Sequence, residues 1–160
     1  MEGRYILPGA DIAKMLEIER ASFPTPWQES DIRHDLDTNP FSRYVGLYDG
    51  ETLVGWGCVW LEFSRAHLLT ISITPERRGE GLGRYLLKLI MQAAADGGGT
   101  HMELECRRSN TTAQKLYKTS GFFRYGVKEG YYTDTGEDAL LYVRPVLPEG
   151  HPDRDPYANI

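Results

Sequence analysis

The sequence predicts an α/β protein: a mixed, mostly antiparallel central sheet flanked by helices. Three stretches carry that expectation. Residues 42–74 alternate apolar and polar side chains in three runs separated by turn residues, as in an antiparallel meander. Residues 71–95 read as strand, glycine-rich loop and helix, because Leu82, Leu86, Leu89, Ile90, Ala93 and Ala94 fall on one helical face. Residues 101–144 read as a strand, a short helix and a final strand pair.

Taken in order, Arg4 to Leu7 reads as a short first strand that Pro8-Gly9 breaks. Asp11 is placed to help cap a helix whose turns run through Ile12, Met15, Leu16 and Glu19 to about Ser22. Two prolines in Phe23-Pro24-Thr25-Pro26-Trp27 end that helix and hold Phe23 and Trp27 on a stiff turn. A second helix follows from about Gln28 to Asp37. Phe23 and Trp27 have two readings: they pack the helices on the sheet, or they line an acceptor pocket.

The meander is Ser42 to Tyr48, a turn at Asp49-Gly50, Leu53 to Phe63, a turn at Ser64-Arg65, and Ala66 to Thr74. Trp56 and Trp60 share a face of the second arm. Gly97-Gly98-Gly99 stops the helix read from Tyr85 to Ala95. His101 to Cys106 is a strand with Met102, Leu104 and Cys106 on one face and Glu103 and Glu105 on the other. Thr111 to Ser120 is a helix ended by Gly121. Phe122 to Lys128 and Ala139 to Arg144 are the last strands, with Tyr131, Tyr132 and a turn at Asp134-Thr135-Gly136 between them. Residues 1–145 form one domain, and the proline-rich residues 146–160 a loosely held tail.

A chain of 160 residues with 41% hydrophobic and 26% charged side chains supports one globular domain with a real core. The net charge of −5 argues against nucleic-acid binding driven by bulk charge and is compatible with an amine-bearing partner. Cys58 and Cys106 form neither a disulfide framework nor zinc spacing. His34, His67, His101 and His151 are scattered, so no metal is expected. There is no long apolar run, so a soluble cytoplasmic protein without a membrane partner is expected.

Glycines at 79, 81 and 83 lie between a strand and a helix N-terminus, where N–H groups are unpaired and a positive partial charge accumulates. Without Cβ atoms there, a pyrophosphate can approach those N–H groups. The run lacks the Gly-Lys-Ser/Thr of a Walker loop and the G-x-G-x-x-G spacing of a dinucleotide fold. Arg78-Gly79-Glu80-Gly81-Leu82-Gly83 instead fits Gln/Arg-x-x-Gly-x-Gly/Ala, and here the chain resembles the GNAT acyltransferases, whose acetyl-CoA pyrophosphate sits on such a loop. An ordinary glycine-rich turn is the alternative reading of the loop alone.

Acyl transfer to an amine needs the amine deprotonated, the thioester polarised and the leaving thiolate protonated. Glu105, on a strand with an apolar opposite face, is a candidate base whose burial is expected to raise its pKa, and Glu103 competes for the role. Tyr117 read alone is a core aromatic. Asn110-Thr111-Thr112-Ala113-Gln114-Lys115-Leu116-Tyr117-Lys118-Thr119-Ser120-Gly121-Phe122 is similar to the family's Asn-x-x-Ala-x-x-Leu-Tyr-x-x-x-Gly-Phe signature, which makes Tyr117 a general acid. Leu104-Glu105-Cys106-Arg107-Arg108-Ser109-Asn110, Tyr131-Tyr132 with Glu137-Asp138-Ala139, and the Phe23 to Trp27 turn resemble the RimI-type protein N-terminal acetyltransferases. Cys106 stands where that family has valine, and Glu103 where it is often apolar.

That resemblance implies a GNAT fold and acetyl transfer from acetyl-CoA to the α-amine of a protein, a small-subunit ribosomal protein being the family's named substrate. It implies Glu105 as proton acceptor and Tyr117 as proton donor. Ile71, Ser72 and Ile73 would pair with the pantetheine, Arg78, Gly79, Glu80, Gly81, Leu82, Gly83 and Arg84 would hold the pyrophosphate, and Asn110 would contact CoA. Phe23, Trp27, Tyr131 and Tyr132 would face the peptide. Transfer is direct, since Cys106 lies on the face opposite Glu105. A GNAT enzyme for a small-molecule amine and an acyl-CoA-binding module without turnover are the alternatives.

Overall fold

The computed structural model describes residues 1–154. Seven strands form one sheet in the order β1-β2-β3-β4-β5-β7-β6. β1 (Glu2–Ile6), β2 (Ser42–Asp49), β3 (Thr52–Glu62) and β4 (Arg65–Ile73) are antiparallel neighbours. β5 (His101–Arg107) pairs parallel to β4, and β7 (Glu137–Pro145) and β6 (Phe123–Tyr132) continue antiparallel. The expected mixed, mostly antiparallel sheet is therefore what forms.

The helices are α1 (Ala13–Ser22), α2 (Glu29–Thr38), α3 (Leu82–Asp96) and α4 (Thr111–Thr119). They leave the sheet between two apolar clusters. One side joins α3 and α4 to the sheet through Leu86, Leu89, Ile90, Ala93, Met102, Leu104 and Tyr117. The other joins α1 and α2 through Met15, Ile18, Ile32, Leu36 and Trp56. The approach of α3 to β3 is close: a Cβ at Gly57 would lie 2.5 Å from Ile90 Cδ1 and 2.9 Å from the Thr70 carbonyl. Only glycine fits there without repacking.

Some boundaries differ from the sequence reading. The α3 helix begins at Leu82, not Tyr85, because Gly81 takes φ +78° and ends the loop there. Gly83 and Arg84 are thus first-turn helix residues. Pro75–Arg77 forms a 3-10 turn that the sequence reading lacked. The β6 strand runs on through Tyr131 and Tyr132, past register shifts, so these tyrosines belong to a strand end and not to an intervening loop. Asp11 does hold the start of α1, its carboxylate accepting from the Ala13 N–H at 2.9 Å. In the described part of the tail, Val146 is buried in the core and Arg154 pairs with Asp96 at 2.8 Å. The remainder of the tail reading, residues 155–160, lies outside the described residues. No helix among the described residues is long and apolar enough to cross a membrane.

Two irregularities of β4 position the site. Leu69 is an extra residue opposite β3, since Cys58 pairs with Thr70 but Val59 with Leu68. Such a bulge reverses which side chains face which layer. The second is the short pairing with β5: Arg65, Ala66 and His67 match His101, Met102 and Glu103, and nothing beyond is paired. Both strands continue, so a wedge opens between residues 68–73 of β4 and 104–107 of β5.

Candidate active site

The wedge exposes one edge of β4. The N–H of Thr74 bonds to the Val54 carbonyl of β3, and the carbonyls of Thr70 and Ser72 lie against β3 glycines. Backbone groups alternate sides along a strand, so those of Ile71 and Ile73 point into the wedge. Ser72 does not share that direction; its backbone faces β3, and its buried hydroxyl has no partner among the described residues. Arg78 already takes the Ile73 carbonyl (3.1 Å) and Ser22 Oγ (3.0 Å), which anchors the turn to α1. Arg78 therefore braces the loop, and Ile71 offers the open backbone pair.

The glycine loop has room and unspent N–H groups that could receive an anion. Gly79 and Gly81 have φ of +81° and +78°, with open space where a Cβ would stand. The first bond donated at this helix end runs from Tyr85 N–H to Gly81 (3.2 Å), so the N–H groups before it face outward unspent. Glu80 would oppose an anion, but Arg77 holds its carboxylate at 3.0 Å and also binds Asp49 at 2.8 Å. Arg84 is exposed on the first turn of α3. These features fit a diphosphate.

The outward face of β5 is charged. Glu105 Oε2 sits 2.6 Å from His67 Nε2 of β4. Burial pushes its carboxyl up, but the His67 hydrogen bond and charge and the Lys128 charge outweigh it, leaving Glu105 below the ordinary carboxylate range. The expected upward shift is thus corrected: the partner on β4 reverses it. Glu103 is bound by Arg65 Nε at 2.6 Å, so it is not interchangeable with Glu105.

The inward face of β5 is apolar. Met102, Leu104 and Cys106 are 0%, 2% and 4% exposed. Burial pushes the Cys106 thiol up to about 11, which keeps it protonated near neutrality and unsuited to nucleophilic attack. Tyr117 packs beside it, 5.8 Å from the Phe122 ring centre and 6.0 Å from that of Tyr142. Burial raises its phenol well above the usual range, and its hydroxyl makes no hydrogen bond among the described residues. The side chain of Asn110 caps α4 through the Ala113 N–H at 3.1 Å. Glu105 and Tyr117 thus lie on opposite sides of β5, the first on its charged face and the second in the apolar cluster packed on its other face.

The β6–β7 hairpin is held by contacts that local pattern does not show. Arg107 binds Asp134 (2.8 Å) and Glu137 (3.3 Å), and its guanidinium lies 4.1 Å from the Tyr132 ring centre. Asp134 also accepts from Thr25 Oγ1 at 2.6 Å, tying the β6–β7 hairpin to the turn between α1 and α2. Those bonds hold the Asp134 carboxyl down to about 2. Tyr131 stacks edge-on against Tyr132 at 5.1 Å. Phe23 and Trp27 are half-buried, and Trp27 packs on the α1–α2 cluster. Glu19, only 2% exposed, accepts from the Trp27 N–H (3.4 Å) and Thr70 Oγ1 (3.3 Å), and burial raises its carboxyl. His67, Arg107, Thr25, Asp134 and Glu19 were not singled out from sequence.

Comparison with known proteins identifies the family. The model of the acetyltransferase (GNAT) family matches residues 12–122. A putative ribosomal protein bS18-alanine N-acetyltransferase of Bacillus subtilis (strain 168) is 37% identical over 131 residues, covering 82% of this chain and 87% of that protein. The N-alpha-acetyltransferase RimI of Mycobacterium tuberculosis (strain ATCC 25618 / H37Rv) is 33% identical over 145 residues, covering 86% and 89%. The crystal structure of the ribosomal-protein-S18-alanine N-acetyltransferase of Escherichia coli superposes with a TM-score of 0.80 at 25% identity, covering 94% of this chain and 97% of that one.

Proposed function

The chain belongs to the GNAT acetyltransferase family, which draws its acetyl group from acetyl-CoA, and on that premise we propose that it acetylates the N-terminal α-amine of a protein. The observation that supports this reading is that Glu105 lies on the charged face of β5 beside the open wedge while Tyr117 belongs to the apolar cluster on the other face. An acid–base pair divided in that way serves an amine on one side of a thioester and a sulfur on the other.

The glycine loop from Gly79 to Arg84 holds the donor's diphosphate, and Ile71 aligns its amide chain. The acceptor amine, with a pKa near ~8, has a neutral fraction at pH 7. Its nitrogen attacks the thioester carbonyl carbon, forming the C–N bond and placing a positive charge on nitrogen. Glu105, kept ionised beside His67, attracts the incoming ammonium and takes the proton released after attack. The C–S bond then breaks. Tyr117, kept protonated by burial, donates its proton to the sulfur and is reprotonated from solvent. No acyl-enzyme is needed, and Cys106 faces away.

The names of the relatives favour a ribosomal-protein N-terminus that begins with alanine, and such an acceptor places the enzyme in the cytoplasm. Phe23, Trp27, Tyr131 and Tyr132 frame its path. Thiol release from acetyl-CoA tests the reading: an Ala-leading peptide should release CoA faster than any of a panel of free small amines. Release with small amines alone would move the acceptor to that class, and binding of acetyl-CoA without release would remove the enzymatic reading.

A further inference from the structure

A groove of about 670 Å³ opens between α2 and β3, lined by Trp27, Trp60, Asp31 and Asp35 and completed by His34 and Asn39. It is continuous with the acceptor site in two ways. Trp27 belongs to the turn that frames the acceptor. Trp60 pairs across strands with His67, which binds Glu105. Glu105, His67 and Trp60 thus mark a line across three adjacent strands on one face of the sheet. Strands lie about 4.8 Å apart, so the groove begins roughly 10 Å from Glu105. An extended chain advances about 3.3 Å per residue.

The groove's chemistry selects a cation. Asp35 receives hydrogen bonds from Ser42 Oγ (2.6 Å), Tyr44 (2.6 Å), Asn39 (2.9 Å) and Trp60 Nε1 (3.3 Å). These donors, together with Cys58 Sγ at 3.9 Å, are neutral, so they fix the carboxylate without cancelling its charge. Asp31 stands exposed on the same wall, and among the described residues no ion pair reaches either acid. Arg33, the nearest cation in sequence, turns to Asp37 and the Ala10 carbonyl instead. Two half-buried indoles beside an uncompensated carboxylate suit a guanidinium or ammonium on an alkyl stem.

We propose that this groove is a specificity subsite for a basic side chain, arginine or lysine, carried three to five residues into the acceptor's N-terminal segment. The inference rests on the α-amine reading above and adds to it a requirement on sequence beyond the first residue.

The test is an arginine scan. Ala-leading peptides identical except for one arginine, moved from position 2 to position 8 of a neutral background, are compared by kcat/KM, and their binding is followed separately by tryptophan fluorescence. Arginine at positions 3–5 should raise kcat/KM about tenfold over glutamine, mostly through KM, with no gain at position 8. In Asp31→Lys, an exposed change that leaves the core bonds of Asp35 intact, the preference should fall to about twofold or less. Equal turnover of arginine and glutamine peptides would overturn the subsite and leave the α-amine reading standing. Preferential binding of the arginine peptides without turnover would keep the subsite and defeat the α-amine reading. A preference that survives unchanged in both Asp31→Lys and Asp35→Asn would locate it elsewhere and overturn the inference.

Discussion

Strand β5 presents two different environments on alternate residues. Met102, Leu104 and Cys106, none of them more than 4% exposed, enter the core, while Glu103, Glu105 and Arg107 meet Arg65, His67 and Asp134. The same seven-residue strand thus divides a dry half of the site from a charged half. The contrast fits the chemistry proposed above. Burial keeps the phenol of Tyr117 protonated, as a donor to sulfur requires. His67 keeps Glu105 ionised, as attraction of an ammonium requires. Either group moved to the other face would carry the wrong protonation state.

The comparison breaks first at the charged face. Glu105→Gln removes the acceptor and its charge while preserving shape, and kcat/KM for an Ala-leading peptide should fall by about a hundred- to ten-thousandfold with the melting temperature nearly unchanged. Tyr117→Phe deletes only a hydroxyl without hydrogen-bond partners among the described residues, so kcat should fall about a hundredfold while acetyl-CoA binding by calorimetry stays the same. If both variants kept full turnover, the division of labour across β5 would be wrong.

The next effect concerns the strap. Thr25→Val cuts its bond to Asp134 and should raise the acceptor KM several-fold with little change in kcat. The strap also has a pH signature. Asp134 has its folded pKa lowered to about 2 from 3.8, so its contribution is present above 3.8 and is lost as pH falls through about 2. The protection of the Thr135 amide, bonded to Asp134 at 2.9 Å, relative to its intrinsic exchange rate should fall over that acid window and stay level above it. The smallest effect belongs to the dry face: Cys106→Val exchanges side chains of similar volume and should cost less than about 1.5 kcal/mol by denaturant melting, with activity retained.

The dry face was readable in the sequence and the charged one only in part, for a physical reason. Met102, Leu104 and Cys106 announce themselves through a period of two, and Asn110 announces the start of α4 because a cap acts on residues three positions away. The fold follows from such local signals and survives errors such as the late start assigned to α3. The partner of Glu105 lies 38 positions away, and it is reached only because β4 and β5 pair in parallel for three residues. Nothing local encodes that register, so the sign of the Glu105 shift was misread. The link from Thr25 to Asp134 spans 109 positions and depends on where β6 ends. Its signals, a threonine between prolines and an aspartate in a turn, have ordinary local uses.

The central claim is that the acceptor is an α-amine brought to the charged face of β5. The direct measurement is transfer of an isotopically labelled acetyl group from acetyl-CoA to an Ala-leading peptide containing one lysine, with fragment mass spectrometry locating the label and an N-terminally blocked copy run alongside. The account predicts label on the first residue, none on the lysine, and none on the blocked peptide. Label on the lysine of the blocked peptide at a comparable rate would contradict it.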